Sequence, residues 1–176
     1  MADGPVFSSV SVRLRAYARR ADDPSAPALF RWINSPTETS SEAELVEAQV
    51  SPPLARFLLA LDRKLDQLAA MHSGASVREE YPLRLEVLEI SGSGLAFRTE
   101  EHFDEGEILE VVLVLSDAPP RMVAATGRVA GSGPDRLHRL DFTTIRENDL
   151  ETVVRFVFQE EREQIRRGKG TRTARL

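Results

Sequence analysis

Between Leu83 and Phe142 the chain divides into short apolar segments separated by turn-forming residues, and this rhythm limits the fold more than any other feature. Residues 83–90 (LRLEVLEI) alternate at Leu83, Leu85 and Val87, the period-two pattern of a half-buried strand. Residues 94–99 (GLAFRT) form a short strand. Residues 108–115 (ILEVVLVL) are an apolar run long enough for a strand and too short for a typical helix. Residues 121–130 (RMVAATGRVA) and 136–143 (RLHRLDFT) continue the series, and SGSG, FDEGE, SDAPP and GSGPD provide the turns. Strands at this spacing predict a barrel or sandwich.

A helix flanks the β region on each side. Ser51 precedes Pro52 and Pro53, an N-cap residue followed by proline in the first turn, where a missing N–H costs nothing. Leu54, Leu58, Leu61, Leu65, Leu68 and His72 follow at alternating spacings of four and three, an a/d seam of a little over two heptads. The pattern predicts a helix over 52–72, ended by Ser73 and Gly74. Such a seam serves self-association in a coiled coil or bundle, or it covers the chain's own barrel; the strict stripe favours self-association. Downstream, Asn148 and Glu151 have capping-box spacing, predicting a helix over about 149–167 that Gly168 stops, with 168–176 a disordered basic tail.

The first fifty residues are less regular. Residues 6–18 alternate at Val10, Val12 and Leu14 as a strand would. Residues 19–40 read as connection, interrupted by the apolar island 28–33 around Trp32, and 41–50 are weakly helical.

Composition removes several function classes. The chain has no cysteine, so thiolate nucleophiles, disulfides and cysteine-held metals are out. His72, His102 and His138 lack metal-ligand spacing. The net charge of -5 argues against duplex DNA. No apolar run suits a membrane span and no signal peptide opens the sequence, so a cytoplasmic location is expected. The pairs Glu100/Glu101 and Glu160/Glu161 read as solvated charge, and SGSG lacks the following helix of a dinucleotide-cofactor fingerprint. No nucleophile–base pair is visible, so an enzyme is not expected.

From residue 83 onward the order resembles the PilZ domain family. Its Asp/Asn-x-Ser-x-x-Gly pattern is met by Glu89-Ile90-Ser91-Gly92-Ser93-Gly94, and the strand order and the segment NDLETVVRFVFQEEREQIRR, similar to the family's closing helix, extend the likeness over about 85 residues. The resemblance implies a six-stranded antiparallel β-barrel with a C-terminal helix packed on it, mainly β overall, and here a separate long amphipathic helix. It also implies non-enzymatic cyclic-di-GMP signalling, as a receptor or an oligomeric adaptor controlling motility or biofilm. The alternative is a protein–protein interaction scaffold that keeps the barrel without binding the dinucleotide.

Two departures from the family pattern bear on the ligand. Glu89 replaces Asp or Asn, and the segment before the barrel, SGASVREEYP, offers Arg78 followed by two glutamates where the family has Arg-x-x-x-Arg. That spacing does occur at Arg15/Arg19 and at Arg162/Arg166. The candidate ligand residues are therefore Glu89, Ser91 and Gly94, helped by Arg15 and Arg19 if an N-terminal strand joins the barrel. With five strands after residue 82, the sixth is expected from 6–18 or, second, from 28–33. The expected organisation is an N-terminal segment over 1–50, an oligomerisation helix over 51–73 carried by Leu54, Leu58, Leu61, Leu65 and Leu68, and a barrel with its helix over 74–167. Homo-oligomer partners and an unidentified protein partner follow from that reading; no cofactor does.

Overall fold

The computed structural model describes residues 8–32, 42–117 and 120–173. Its strands are β1 (Ser9–Ala21), β2 (Leu83–Ser91), β3 (Gly94–Arg98), β4 (Ile108–Asp117), β5 (Pro120–Ser132) and β6 (Leu137–Ile145). They form a closed antiparallel barrel in the order β1-β2-β3-β6-β5-β4. Helices α1 (Glu42–Glu47) and α2 (Pro52–Glu80) lie between β1 and β2 in sequence, and α3 (Glu147–Thr173) follows β6.

The N-terminal strand is the one that closes the cylinder. β1 pairs with β2 through Val10↔Ile90 and Leu14↔Val87, and with β4 through Ala16↔Leu113 and Ala18↔Val111. Every strand thus has two neighbours, and no ladder edge is exposed. Residues 28–32 do not form a strand. They run as a strap across the outside of the barrel, because Ala28, Phe30 and Trp32 pack there with Tyr17, Val112 and Met122. Ile33 lies outside the described residues, as do residues 6 and 7 of the expected strand. At its other end β1 runs on to Ala21, where a connection was expected, since Arg19, Arg20 and Ala21 pair with Glu110, Leu109 and Ile108.

The barrel interior holds Val87, Ile90, Phe97, Leu109, Val111 and Leu113, all fully buried, and α3 caps it with Val153 and Val157. Burying one such side chain contributes about 1.5–3 kcal/mol. The uninterrupted apolar run of β4 now has a cause. Its odd-numbered residues fill the interior, while Val112 and Val114 face outward beneath the strap and the end of α2.

Three expected boundaries are corrected. α2 does not end at Ser73 and Gly74 but continues to Glu80, because Val77 and Tyr81 are anchored on the barrel's outer face. Tertiary packing there outweighs the cost of about 1 kcal/mol for a helical glycine. α3 opens at Glu147, with Leu150 N–H donating to Arg146 C=O, so Asn148 lies inside the first turn instead of capping it. Glu147 and Asp149 meet the positive end of the helix dipole in its place. Gly168 does not stop α3, which propagates as helix to Thr173; a formed helix passes a single glycine more cheaply than it starts anew. Residues 174–176 of the expected tail lie outside the described residues.

Candidate functional site

The motif residues sit at and just before the β2–β3 turn, and Ser91 and Gly94 have local structural tasks. Ser91 Oγ accepts from the Ser93 backbone N–H at 3.2 Å and donates to Gly94 C=O at 3.2 Å, holding the turn closed. Gly94 lies against β6, where a Cβ would fall 2.3 Å from the carbonyl oxygen of Leu140. Only glycine allows the two strands to come this close. Glu89 is exposed on the barrel wall, with Ser11 of β1 and Ala96 of β3 as its cross-strand neighbours.

The structure brings Glu89, Ser91 and Gly94 together and leaves Arg15 and Arg19 apart from them. Arg15 is four residues along β1 from Ser11 and Arg19 eight, roughly 13 and 26 Å of strand. Both arginines are also engaged elsewhere. Arg15 pairs with Asp117 at 2.5 Å. Arg19 Nη2 donates to Glu110 Oε2 at 2.8 Å, and its guanidinium lies 4.8 Å from the centre of the Tyr81 ring. The stretch before the barrel, where the family carries its arginine pair, is the last turns of α2. Arg78 there donates to the Tyr17 hydroxyl at 3.4 Å.

Glu110 organises the opposite wall and was not singled out in the sequence. The residue is 7% exposed, and its carboxylate accepts from Arg19, from the Tyr81 hydroxyl at 3.0 Å and from the Leu29 backbone N–H at 3.2 Å. One buried anion therefore ties β1, the strap and the end of α2 to β4. Burial, with the hydrogen bond to Glu110 second, pushes the Tyr81 hydroxyl up to about 12, so it remains a donor throughout the physiological range. The available signal was a lone carboxylate inside ILEVVLVL. A charge in a doubly covered strand needs partners.

The strap and the residues leading into it are held further by side chains donating to their carbonyls. Thr126 donates to Ala26, Thr143 and Thr144 to Pro24, and Arg146 to Ala28 and Phe30. Asp149, beside Arg146 at the start of α3, is raised by burial from the ordinary carboxylate value.

The seam of α2 is not spent on the barrel. Leu54, Leu58, Leu61, Leu65 and Leu68 are between 40% and 62% exposed, and Phe57 beside them is 63% exposed. The helix meets the barrel's outer cluster through Val77 near its end. Among the described residues no group of three His, Cys, Asp or Glu side chains is placed to hold a metal, and no helix is long and apolar enough to cross a membrane.

Residues 66–159, more than half of the chain, match the family model for the PilZ domain. The chain belongs to the PilZ domain family. The match begins within α2 and omits β1, the strand that completes the PilZ barrel here. PilZ domains are regulatory and binding modules, and membership relates this chain to cyclic-di-GMP signalling without indicating a catalytic family. Among curated protein sequences none matches the chain.

Two solved structures with TM-scores above 0.5 share the fold. The Bacillus subtilis inhibitor of motility, MotI/DgrA, aligns with a TM-score of 0.51 at 11% identity over 92% of this chain and 53% of that one, so this chain spans about half its length. A Xanthomonas campestris protein described as a tetrameric PilZ domain self-assembled through an unusual helical bundle aligns at 0.55 and 23% identity, over 94% and 92% of the two chains. The PilZ domain of Escherichia coli YcgR with c-di-GMP aligns at 0.40 and 13% identity, over 49% and 78%.

Proposed function

We propose that this PilZ protein is a non-enzymatic adaptor in cyclic-di-GMP signalling that assembles with copies of itself through the first part of α2. The observation that carries this reading is the row of exposed leucines from Leu54 to Leu68 on a helix whose last turns are anchored on the barrel through Val77. Burial of such a stripe against its own kind is what drives helical bundles. The helical-bundle tetramer described for the Xanthomonas campestris protein agrees with it. In this reading the barrel acts as a docking body for another protein and does not clamp the dinucleotide. Arg15 and Arg19 are bound to Asp117 and Glu110, and the segment before β2, where the family carries its arginine pair, is helical.

Replacing Leu58 and Leu65 by Glu tests the assembly. The particle mass in sedimentation equilibrium drops to that of a smaller species, and an unchanged mass removes the reading. A receptor is the second reading, favoured by one observation: Glu89 stays exposed on β2, two residues from Ser91. Calorimetric titration with cyclic-di-GMP separates the two. The adaptor gives no binding heat, whereas binding abolished by Ser91→Ala, or by loss of Arg15 or Arg19, establishes a receptor.

A further inference from the structure

A second apolar row lies on α3, half-buried at Leu150 and Val154 and exposed at Phe158 and Ile165. Leu150, Val154, Phe158 and Ile165 follow at spacings of four, four and seven, which keeps them on one face, and Phe158 and Ile165 are 56% and 58% exposed. An open groove runs along the first part of this face, lined by Leu150, Val154 and Phe158 together with Glu147, Glu151, Arg155 and Arg162. The inward-facing Val153 and Val157 already fill the barrel end, so this row serves no core.

Charge along the same face is sorted by sign. Glu147 and Glu151 stand four apart before the apolar centre, and Arg162 and Arg166 stand four apart after it. Like charges at this spacing repel within a helix. The ion pairs of α3 among the described residues are Arg146–Asp149 and Arg167–Glu163, and neither relieves those four residues. The helix dipole explains only part of the order, because its effect fades within the end turns and Arg162 lies mid-helix in a segment of 27 residues.

We propose that this face of α3 is a self-complementary docking surface for α3 of a second copy, lying antiparallel. Two-fold symmetry brings one patch onto itself, so a residue meets its counterpart in reverse order. Glu147 then faces the other copy's Arg166, Glu151 its Arg162, and Arg155 its Phe158 ring. Both like-charge pairs acquire opposite charges in the same step, and Val154 and Phe158 are covered at the centre. The surface is separate from α2 and does not depend on the adaptor reading.

A charge-swap experiment on the full chain tests it. Glu147→Arg with Glu151→Arg makes the face wholly basic, and Arg162→Glu with Arg166→Glu makes it wholly acidic. Each variant alone is expected to sediment at about half the wild-type mass, and an equimolar mixture returns to the wild-type mass, since every reversed charge again finds its opposite. Wild-type mass in either variant alone, or a mixture that stays at half, overturns the proposal. Phe158→Gln, uncharged and at an exposed position, gives the same halving without altering helix charge; retention of full mass there also overturns it. The α2 variant Leu58→Glu with Leu65→Glu distinguishes the two surfaces. If it alone lowers the mass, the α3 surface fails; if only the α3 variants lower it, the α2 reading fails and this one stands.

Discussion

The two walls of the barrel are built on opposite terms. The β1–β4–β5 wall is covered by the strap and the end of α2, and a buried carboxylate binds all of these together. The β2–β3–β6 wall carries the family motif, with Glu89, Arg98, Arg139 and Asp141 exposed. Arg15 and Arg19, which have the spacing of the family's ligand arginines, pair with carboxylates on the first wall.

The sharpest way to break this contrast is at Glu110. Glu110→Ala strands a partly buried guanidinium, a buried hydroxyl and a backbone N–H, and is expected to lower stability by about 3 kcal/mol in urea unfolding. Gly94→Ala comes next. It forces a methyl into the β6 backbone and is expected to cost about 2 kcal/mol, read as a lower melting temperature. Ser91→Ala and Glu89→Ala bound the other side of the comparison. Each is expected to stay within about 1 kcal/mol of wild type, because a turn hydroxyl and a solvated carboxylate support little.

His138 adds a pH test on the open wall. It is stacked on Phe97 with ring centres 5.3 Å apart and bonded to Ser132 at 2.8 Å, and burial lowers its pKa from the usual 6.5. The neutral ring is the form the fold accepts. This residue's contribution to stability is present above the unfolded value, near pH 6.5, and is lost as pH falls towards and through the lower folded value. His138→Phe is expected to flatten that part of the pH–stability curve, the smallest of these effects; an unchanged slope would show that the ring does not titrate with folding.

How far the sequence could be read follows from how local each cause is. β2, β3 and β6 announce themselves because one face is wet, and their alternation is intrinsic to a few residues. The N-terminal strand was legible for the same reason, and its place in the barrel followed from the count of strands. Ser73 and Gly74 misled because what carries α2 past them is Val77 and Tyr81 gripping a surface made by β1, β4 and β5. Glu110 stood out as a charge among valines and leucines. Its partners, Arg19, Leu29 and Tyr81, are spread widely along the chain, and no local pattern assembles them. The seam of α2 was plain, and its leucines are exposed instead of covering the barrel.

β1 is drawn from outside the segment that matches the family, and this has a practical consequence. A fragment cut to residues 66–159 would keep five strands and lose the stave between β2 and β4. Both of those strands would then offer unpaired amides and carbonyls along a wall rich in valine and leucine, a template for sticking to the next fragment. Anyone isolating this domain by its recognisable portion would be preparing an aggregate; the workable unit starts before Ser9.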